Sequence, residues 1–131
     1  MQNCPESPPD ELLLAIRQFN NGDWFECHET LEELWMSEHD EMRSFYQGIL
    51  QISVALHHWR NGNFAGAMSL LESGGDHLSK VHRVCMQVDV AGFIVQANRT
   101  REALAGLGKD RMAELEPSLI PRLQIIHEEP R

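Results

Sequence analysis

His28 and Glu32 stand four residues apart in the run H-E-T-L-E-E-L-W, and in a helix that spacing sets both side chains on one side. At about 100° per residue, a helix over 23–37 groups Trp24, Cys27, Leu31, Leu34 and Trp35 on one face. On that wheel His28 and Glu32 fall between Trp35 and Phe25, inside the apolar sector, while Glu26, Glu29 and Glu33 point the other way. A buried ionisable pair is costly unless it is partnered, so these two side chains ask for partners. The next helix supplies them: Arg43, Gln47, Gln51 and His58 lie within about 80° of one another on its wheel, together with Val54.

Three chemistries are open to such a cluster. In the first it closes on itself, Glu32 pairing with Arg43 and the glutamines bridging imidazoles and backbone, and so fixes helix register. In the second it lines a pocket for a small polar or anionic ligand, with Arg43 as charge anchor and Gln47, Gln51 and His58 as orienting groups. In the third His28 and Glu32 chelate a divalent metal with His58 or His57 as third ligand, and the ion could activate water in a hydrolase. The chain lacks H-E-x-x-H, since the residue four after His28 is Glu32, and it lacks the Glu-x-x-His spacing of di-iron bundles. It also lacks a glycine-rich phosphate loop, a serine elbow and a dinucleotide fingerprint. Cys27 on the apolar face reads as an inert core thiol, and His77 and His82 as surface residues near a glycine-rich break.

The elements that must hold the cluster are helical. Ser7-Pro8-Pro9-Asp10-Glu11 predicts a helix start with Ser7 as N-cap, followed by a stripe of Leu12, Leu13, Ile16 and Phe19. That helix stops at Asn21-Gly22, and Asp23 caps the next. The construction returns forty residues on, Trp59-Arg60-Asn61-Gly62-Asn63-Phe64 against Phe19-Asn20-Asn21-Gly22-Asp23-Trp24. Each reads as helix end, left-handed glycine, new cap and aromatic wedge, the corner of a tetratricopeptide-like hairpin. Antiparallel hairpins are expected over 8–37 and 40–73, with 41–59 the most buried helix. Ser73-Gly74-Gly75-Asp76 should end or kink the fourth helix before Leu78. Asp89 caps a further helix that ends at Gly108. Pro117 and Pro121 make the tail irregular, with Leu119, Ile120, Leu123, Ile125 and Ile126 pinning it; no strand pattern holds, although 123–126 is ambiguous.

The chain has 131 residues, enough for one domain with a real core. Its formal charge of −9 is uneven: acids crowd residues 6–42, where Arg17 is the one base, so nucleic acid is a poor partner. The acids from Glu26 to Glu41 form either a solvated face or a docking surface for a basic partner. Cys4, Cys27 and Cys85 are odd in number and far apart, so neither a disulfide nor a zinc cage is expected, and a reducing cytoplasm fits. No leader pattern and no membrane-spanning run is read in the sequence.

The words F-N-N-G-D-W-F-E-C-H-E-T-L-E-E-L-W and R-S-F-Y-Q-G-I-L-Q-I-S-V-A-L-H-H-W-R-N-G-N-F-A-G-A resemble the family known only as domain of unknown function family 309. The resemblance implies a small all-helical bundle in which the residues matching His28, Glu29, Glu32, Trp35, Arg43, Gln47, Gly48, Gln51, His58, Gly62 and Asn63 recur. It implies no activity. The chain departs from the family pattern at Ser73-Gly74-Gly75, where such proteins usually continue a helix.

The sequence therefore predicts an all-α bundle of about five helices built from two antiparallel hairpins cornered at Gly22 and Gly62. It is read as a single domain over 1–131, with a core at 8–107 and a less regular tail at 108–131. The functional expectation is a cytoplasmic, non-enzymatic binding or scaffold module with a polar cluster of His28, Glu29, Glu32, Arg43, Gln47, Gln51 and His58. Its partner would be a small polar ligand, another protein or a second copy of the chain, not nucleic acid or membrane. The alternative is a metal-binding protein or metal-dependent hydrolase using His28, Glu32 and His58, with a divalent metal as candidate cofactor.

Overall fold

The computed structural model describes residues 4–5 and 7–126; the extreme ends of the sequence reading lie outside them. Five helices follow in order: α1 (Asp10–Asn20), α2 (Trp24–Met36), α3 (Asp40–Arg60), α4 (Phe64–Leu78) and α5 (Val90–Arg111). A small hairpin, β1 (Val84–Cys85) and β2 (Val88–Asp89), stands between α4 and α5, and two 3-10 turns, Met112–Glu114 and Pro117–Leu119, lead into the tail. No helix among the described residues is long and apolar enough to cross a membrane.

The start of α1 corrects the sequence reading. Pro9, extended at φ −69° and ψ 161°, occupies the cap position in place of Ser7, and its carbonyl accepts from the Leu12 N–H at 3.0 Å. The cause is steric: a residue before proline is pushed out of the helical region, so Pro8-Pro9 disfavours a helix start at Ser7 or Pro8. Asp10 and Glu11 still face the positive end of the helix dipole.

Both glycine corners form as expected, and by the same hydrogen bonds. Gly22 and Gly62 take φ of 82° and 80°. At the first corner the Asp23 N–H donates to the Gln18 carbonyl at 2.8 Å and Gly22 to Phe19 at 3.0 Å. At the second, Asn63 donates to His58 at 2.8 Å and Gly62 to Trp59 at 3.1 Å. These are paired Schellman closures, which need a residue that accepts a left-handed backbone. The corners also pack on each other: Trp24 meets Trp59 edge-on at 6.3 Å, and the Arg60 guanidinium lies 4.4 Å from the Trp24 ring centre.

Gly74 and Gly75 do not break α4, which runs unbroken to Leu78. Their neighbourhood explains why. A Cβ on Gly74 would stand 2.8 Å from the Gly48 carbonyl and 2.7 Å from Ile52, and one on Gly48 would stand 2.5 Å from Leu78. Here glycine serves close backbone approach between α3 and α4, and the packing gained outweighs its poor helix propensity.

The hairpin is the second correction, because no strand was expected before the tail. Met86 and Gln87 turn it with φ of 48° and 67°, in a two-residue loop where glycine, asparagine or aspartate is usual. Val88 also bridges Ile125, which resolves the ambiguity over 123–126 as a strand-like pairing. The tail is clipped by two amides: Asn20 exchanges hydrogen bonds of 2.9 Å with the Leu123 backbone, and Gln96 holds both backbone groups of Arg122. Asp89 caps α5 through Gly92, and Gly108, at φ 76°, takes that helix out of regular geometry as expected, with a last turn following to Arg111.

The third correction concerns sulfur. Cys4 and Cys85 form a disulfide across 81 positions, with Cα atoms 5.2 Å apart, although cysteine number and spacing suggested none. The hairpin that turns Cys85 inward is what brings the two together, and it was not legible in the sequence. Cys27 remains a free, buried thiol.

The α3–α4 crossing yields a paired test. Gly74→Ala should destabilise the fold by about 1–3 kcal/mol through overpacking. Gly75→Ala, where a Cβ meets nothing within 4 Å, should stabilise it by roughly 0.5–1 kcal/mol. Urea titration of both variants decides, and equal effects at the two positions would contradict backbone contact.

Candidate functional site

The seam between α2 and α3 gathers most of the polar residues singled out above, though not in the predicted arrangement. Helix α2 buries Trp24, Cys27 and Leu31, while Phe25 is 47% exposed. With Phe25 outside, the buried arc is narrower than the apolar sector drawn from sequence, and Glu32 sits roughly 110° from its centre. Glu32 and Glu29 are accordingly exposed, and His28 is half-buried at the margin. The expected pairing of Glu32 with Arg43 is therefore absent among the described residues. The Arg43 guanidinium instead lies 4.0 Å over the Trp35 ring and donates to the Glu38 carbonyl at 3.4 Å. A planar cation on an aromatic face needs no carboxylate to offset its burial.

The other end of the seam is built around Phe25, whose ring is 5.6 Å from His28 and 5.5 Å from His57. His57 Nε2 lies 3.1 Å from the Asn61 side-chain amide nitrogen, within hydrogen-bond distance. His58 turns toward the corner, its Nδ1 accepting from Asn63 at 3.3 Å while Asn63 caps α4 through Gly66. Gln47 and Gln51 lie half-buried between the two ends, one and two turns after Arg43.

The distinctive property of this seam is unsatisfied polarity. His28 Nδ1, Trp35 Nε1, Gln51 Oε1 and His57 Nδ1 are buried and have no hydrogen-bond partner among the described residues. Leaving such a group unpaired costs about 1–3 kcal/mol, so an arrangement with several of them calls for a reason. Trp35 and Phe25 were not placed in the polar cluster from sequence, and His57 entered only as an alternative metal ligand; the signal that could have found the two aromatics was their place beside the histidines.

The metal triad is not formed. Among the described residues, the set of three or more His, Cys, Asp or Glu whose ligand atoms all lie within 4.8 Å of one another is Cys4, Glu41 and His82, not His28, Glu32 and His58. Exposure of Glu32 and the contact of His58 with the cap residue Asn63 account for the difference. His82 is exposed, as its place near the glycine-rich break suggested, and its contact with Glu41 joins positions 41 apart, which residue spacing does not reveal.

Fold and seam together define a small all-helical bundle of two cornered hairpins with a fifth helix and a clipped tail. The sequence model described as Domain of unknown function (DUF309) matches residues 12–70, from α1 into the first half of α4, and the resemblance read from sequence holds over that segment. The chain is 42% identical over 62 residues to the Uncharacterized protein YpuF of Bacillus subtilis (strain 168), a match covering 47% of this chain and 36% of that protein. It is 37% identical over 55 residues to an uncharacterized protein of Aquifex aeolicus (strain VF5), covering 40% of this chain and 16% of that one. The chain thus spans well under half of either relative.

Beneath the seam, burial pushes the Cys27 thiol from 9.0 up to about 12, against the opposing hydrogen bonds of Ser53 and the Phe19 backbone. Burial, with Glu38 and Glu11 adding to it, lifts Tyr46 from 10.0 to about 12. Both folded values exceed the unfolded ones, so this stabilisation is full below about pH 9 and is lost as pH rises toward 12. Since Tyr46 is the single tyrosine, tyrosinate absorbance should rise near pH 12 in the folded protein and near 10 in urea. A folded-state midpoint near 10 would show a solvated phenol.

Proposed function

We propose that the chain is a non-enzymatic binding module whose α2–α3 seam recognises a basic polypeptide segment in the cytoplasm. The observation that carries this reading is the set of buried, unpartnered polar atoms on His28, Trp35, Gln51 and His57. They comprise donors and acceptors at the scale of a peptide backbone; all four are closed to solvent in this state, and a main chain inserted as the seam parts would satisfy them. The seam's outer edge fits the same partner. Phe25 and Met36 expose apolar surface on α2, the latter at 68%, with the exposed carboxylates of Glu29 and Glu32 between them in sequence. Such a patch buries an apolar anchor while acids select positive charge at the rim. The hydrolase alternative through His28, Glu32 and His58 has no comparable support, because those groups do not converge.

The test is peptide selection by display on the full chain, scored against Gln51→Leu and Phe25→Ala. Selected peptides should be basic, should lose at least tenfold in affinity for Gln51→Leu, and should weaken on Phe25→Ala. Gln51→Leu should unfold at equal or higher urea concentration, since it removes an unpartnered buried carbonyl. Peptides that bind Gln51→Leu as tightly as wild type, or a selection that enriches none, would overturn the reading.

A further inference from the structure

We propose that Cys4, Cys85, His82 and Glu41 form a thiol-controlled site for a zinc-type divalent cation, closed by the disulfide and opened by its reduction. This site stands apart from the α2–α3 seam and does not depend on the function proposed for it.

The residues come from three distant parts of the chain. Cys4 precedes α1, Glu41 lies in the first turn of α3, and His82 and Cys85 sit at the start of the hairpin. Cys4 Sγ, a Glu41 carboxylate oxygen and a His82 ring nitrogen lie within 4.8 Å of one another, and Cys85 Sγ is bonded to Cys4 Sγ. Glu41 is already fixed toward this point: its Oε2 accepts from the His82 backbone N–H at 2.6 Å and lies against His82 Nδ1. Its side chain is 9% exposed and both cysteines are buried, while the His82 side chain is half exposed, so the cluster is shielded on its sulfur and carboxylate sides and open at the imidazole.

Two thiolates, an imidazole and a carboxylate are the ligand types zinc takes in a tetrahedral site, where neighbouring ligand atoms stand about 3.2–3.8 Å apart. Shifts on the order of 1 Å would bring the three grouped atoms to that spacing. His82-Arg83-Val84-Cys85 supplies two ligands from one short segment that leads into β1, in the two-residue spacing common to structural zinc sites. On its Glu41 and His82 side the cluster opens to a surface depression of about 570 Å³, bounded also by Ser44 of α3 and Ser79 after α4, which gives an ion access.

The redox step balances with a dithiol as reductant. The dithiol delivers two electrons and two protons to the Cys4–Cys85 bond, leaving two thiols and becoming a cyclic disulfide itself. A zinc ion then displaces both thiol protons to solvent and takes His82 and Glu41 as its remaining ligands. A diazene or disulfide oxidant reverses the sequence: it takes two electrons from the thiolates and two protons from solvent, becoming a hydrazine or a pair of thiols, while the sulfur–sulfur bond re-forms and the ion is released. Either state ties the segment before α1 to the hairpin, so the exchange changes ion binding while retaining the tether.

The experiment uses the full chain, reduced with a dithiol, desalted without air and titrated with Co²⁺ and then Zn²⁺. One ion per chain should bind, with a thiolate-to-cobalt charge-transfer band that zinc abolishes. Zinc should slow alkylation of Cys4 and Cys85 at least tenfold, and oxidation with diamide should release it. His82→Ala should weaken binding by at least 10–100-fold. The alkylation measurement needs no variant, so it decides even if His82→Ala misfolds. Absence of the charge-transfer band in the reduced protein, zinc-insensitive alkylation, or an ion retained after oxidation would each overturn the proposal.

Discussion

The backbones of α3 and α4 touch at Gly48 and Gly74, and the placement of the remaining elements depends on that contact. Leu78, at the end of α4, fills the space that a side chain on Gly48 would need. The chain then turns through the Leu78 carbonyl, which accepts from Val81, and delivers His82 to Glu41. Glu41, Phe45, Gly48 and Ile52 follow each other at helical spacing, so the face of α3 that meets α4 leads directly to the carboxylate at its start. Arg43, Gln47, Gln51, Val54 and His58 share a second face, along which the Arg43–Trp35 and His57–Phe25 contacts join α2. One helix thereby carries both polar clusters on separate sides.

What could be read from the sequence was what is decided within a few residues. The corners at Gly22 and Gly62 were legible because a Schellman closure spans six residues and needs one left-handed position, and the glycine marks it. Asp89 was legible for the same reason, its carboxylate reaching only to Gly92. Gly74 was misread because a glycine that breaks a helix and one that admits a neighbouring backbone look alike until the neighbour is known. The hairpin was missed because Met86 and Gln87 carry none of the residue types that usually take positive φ. With the hairpin hidden, so was the pairing of Cys4 with Cys85.

The site was legible in part. Arg43, Gln47, Gln51 and His58 do lie on a half-buried stripe of α3, as their spacing required. Glu32 failed because a wheel gives angles without giving the width of the buried arc, and that width is set by how closely α1 and α3 approach α2. Phe25 widened the arc on paper and lies outside it in the fold. The arginine's partner changed with it, from a carboxylate to the indole of Trp35, a choice that costs less desolvation because guanidinium is weakly hydrated.

The two clusters differ in what they leave open. Along the seam the unpartnered atoms are an indole N–H, an amide oxygen and imidazole nitrogens, which exchange hydrogen bonds with neutral polar groups. At the start of α3 the grouped atoms are sulfur, carboxylate oxygen and imidazole nitrogen, of which the first two gain most from a cation. The charge of −9, concentrated in the acids of α2 and early α3, favours positive charge at both places, yet in different forms. At the seam the acids are exposed at the rim, where they steer an encounter and are screened by salt. Glu41 is shielded beside buried sulfur, where a compact divalent charge would be held by direct bonds rather than by a diffuse field.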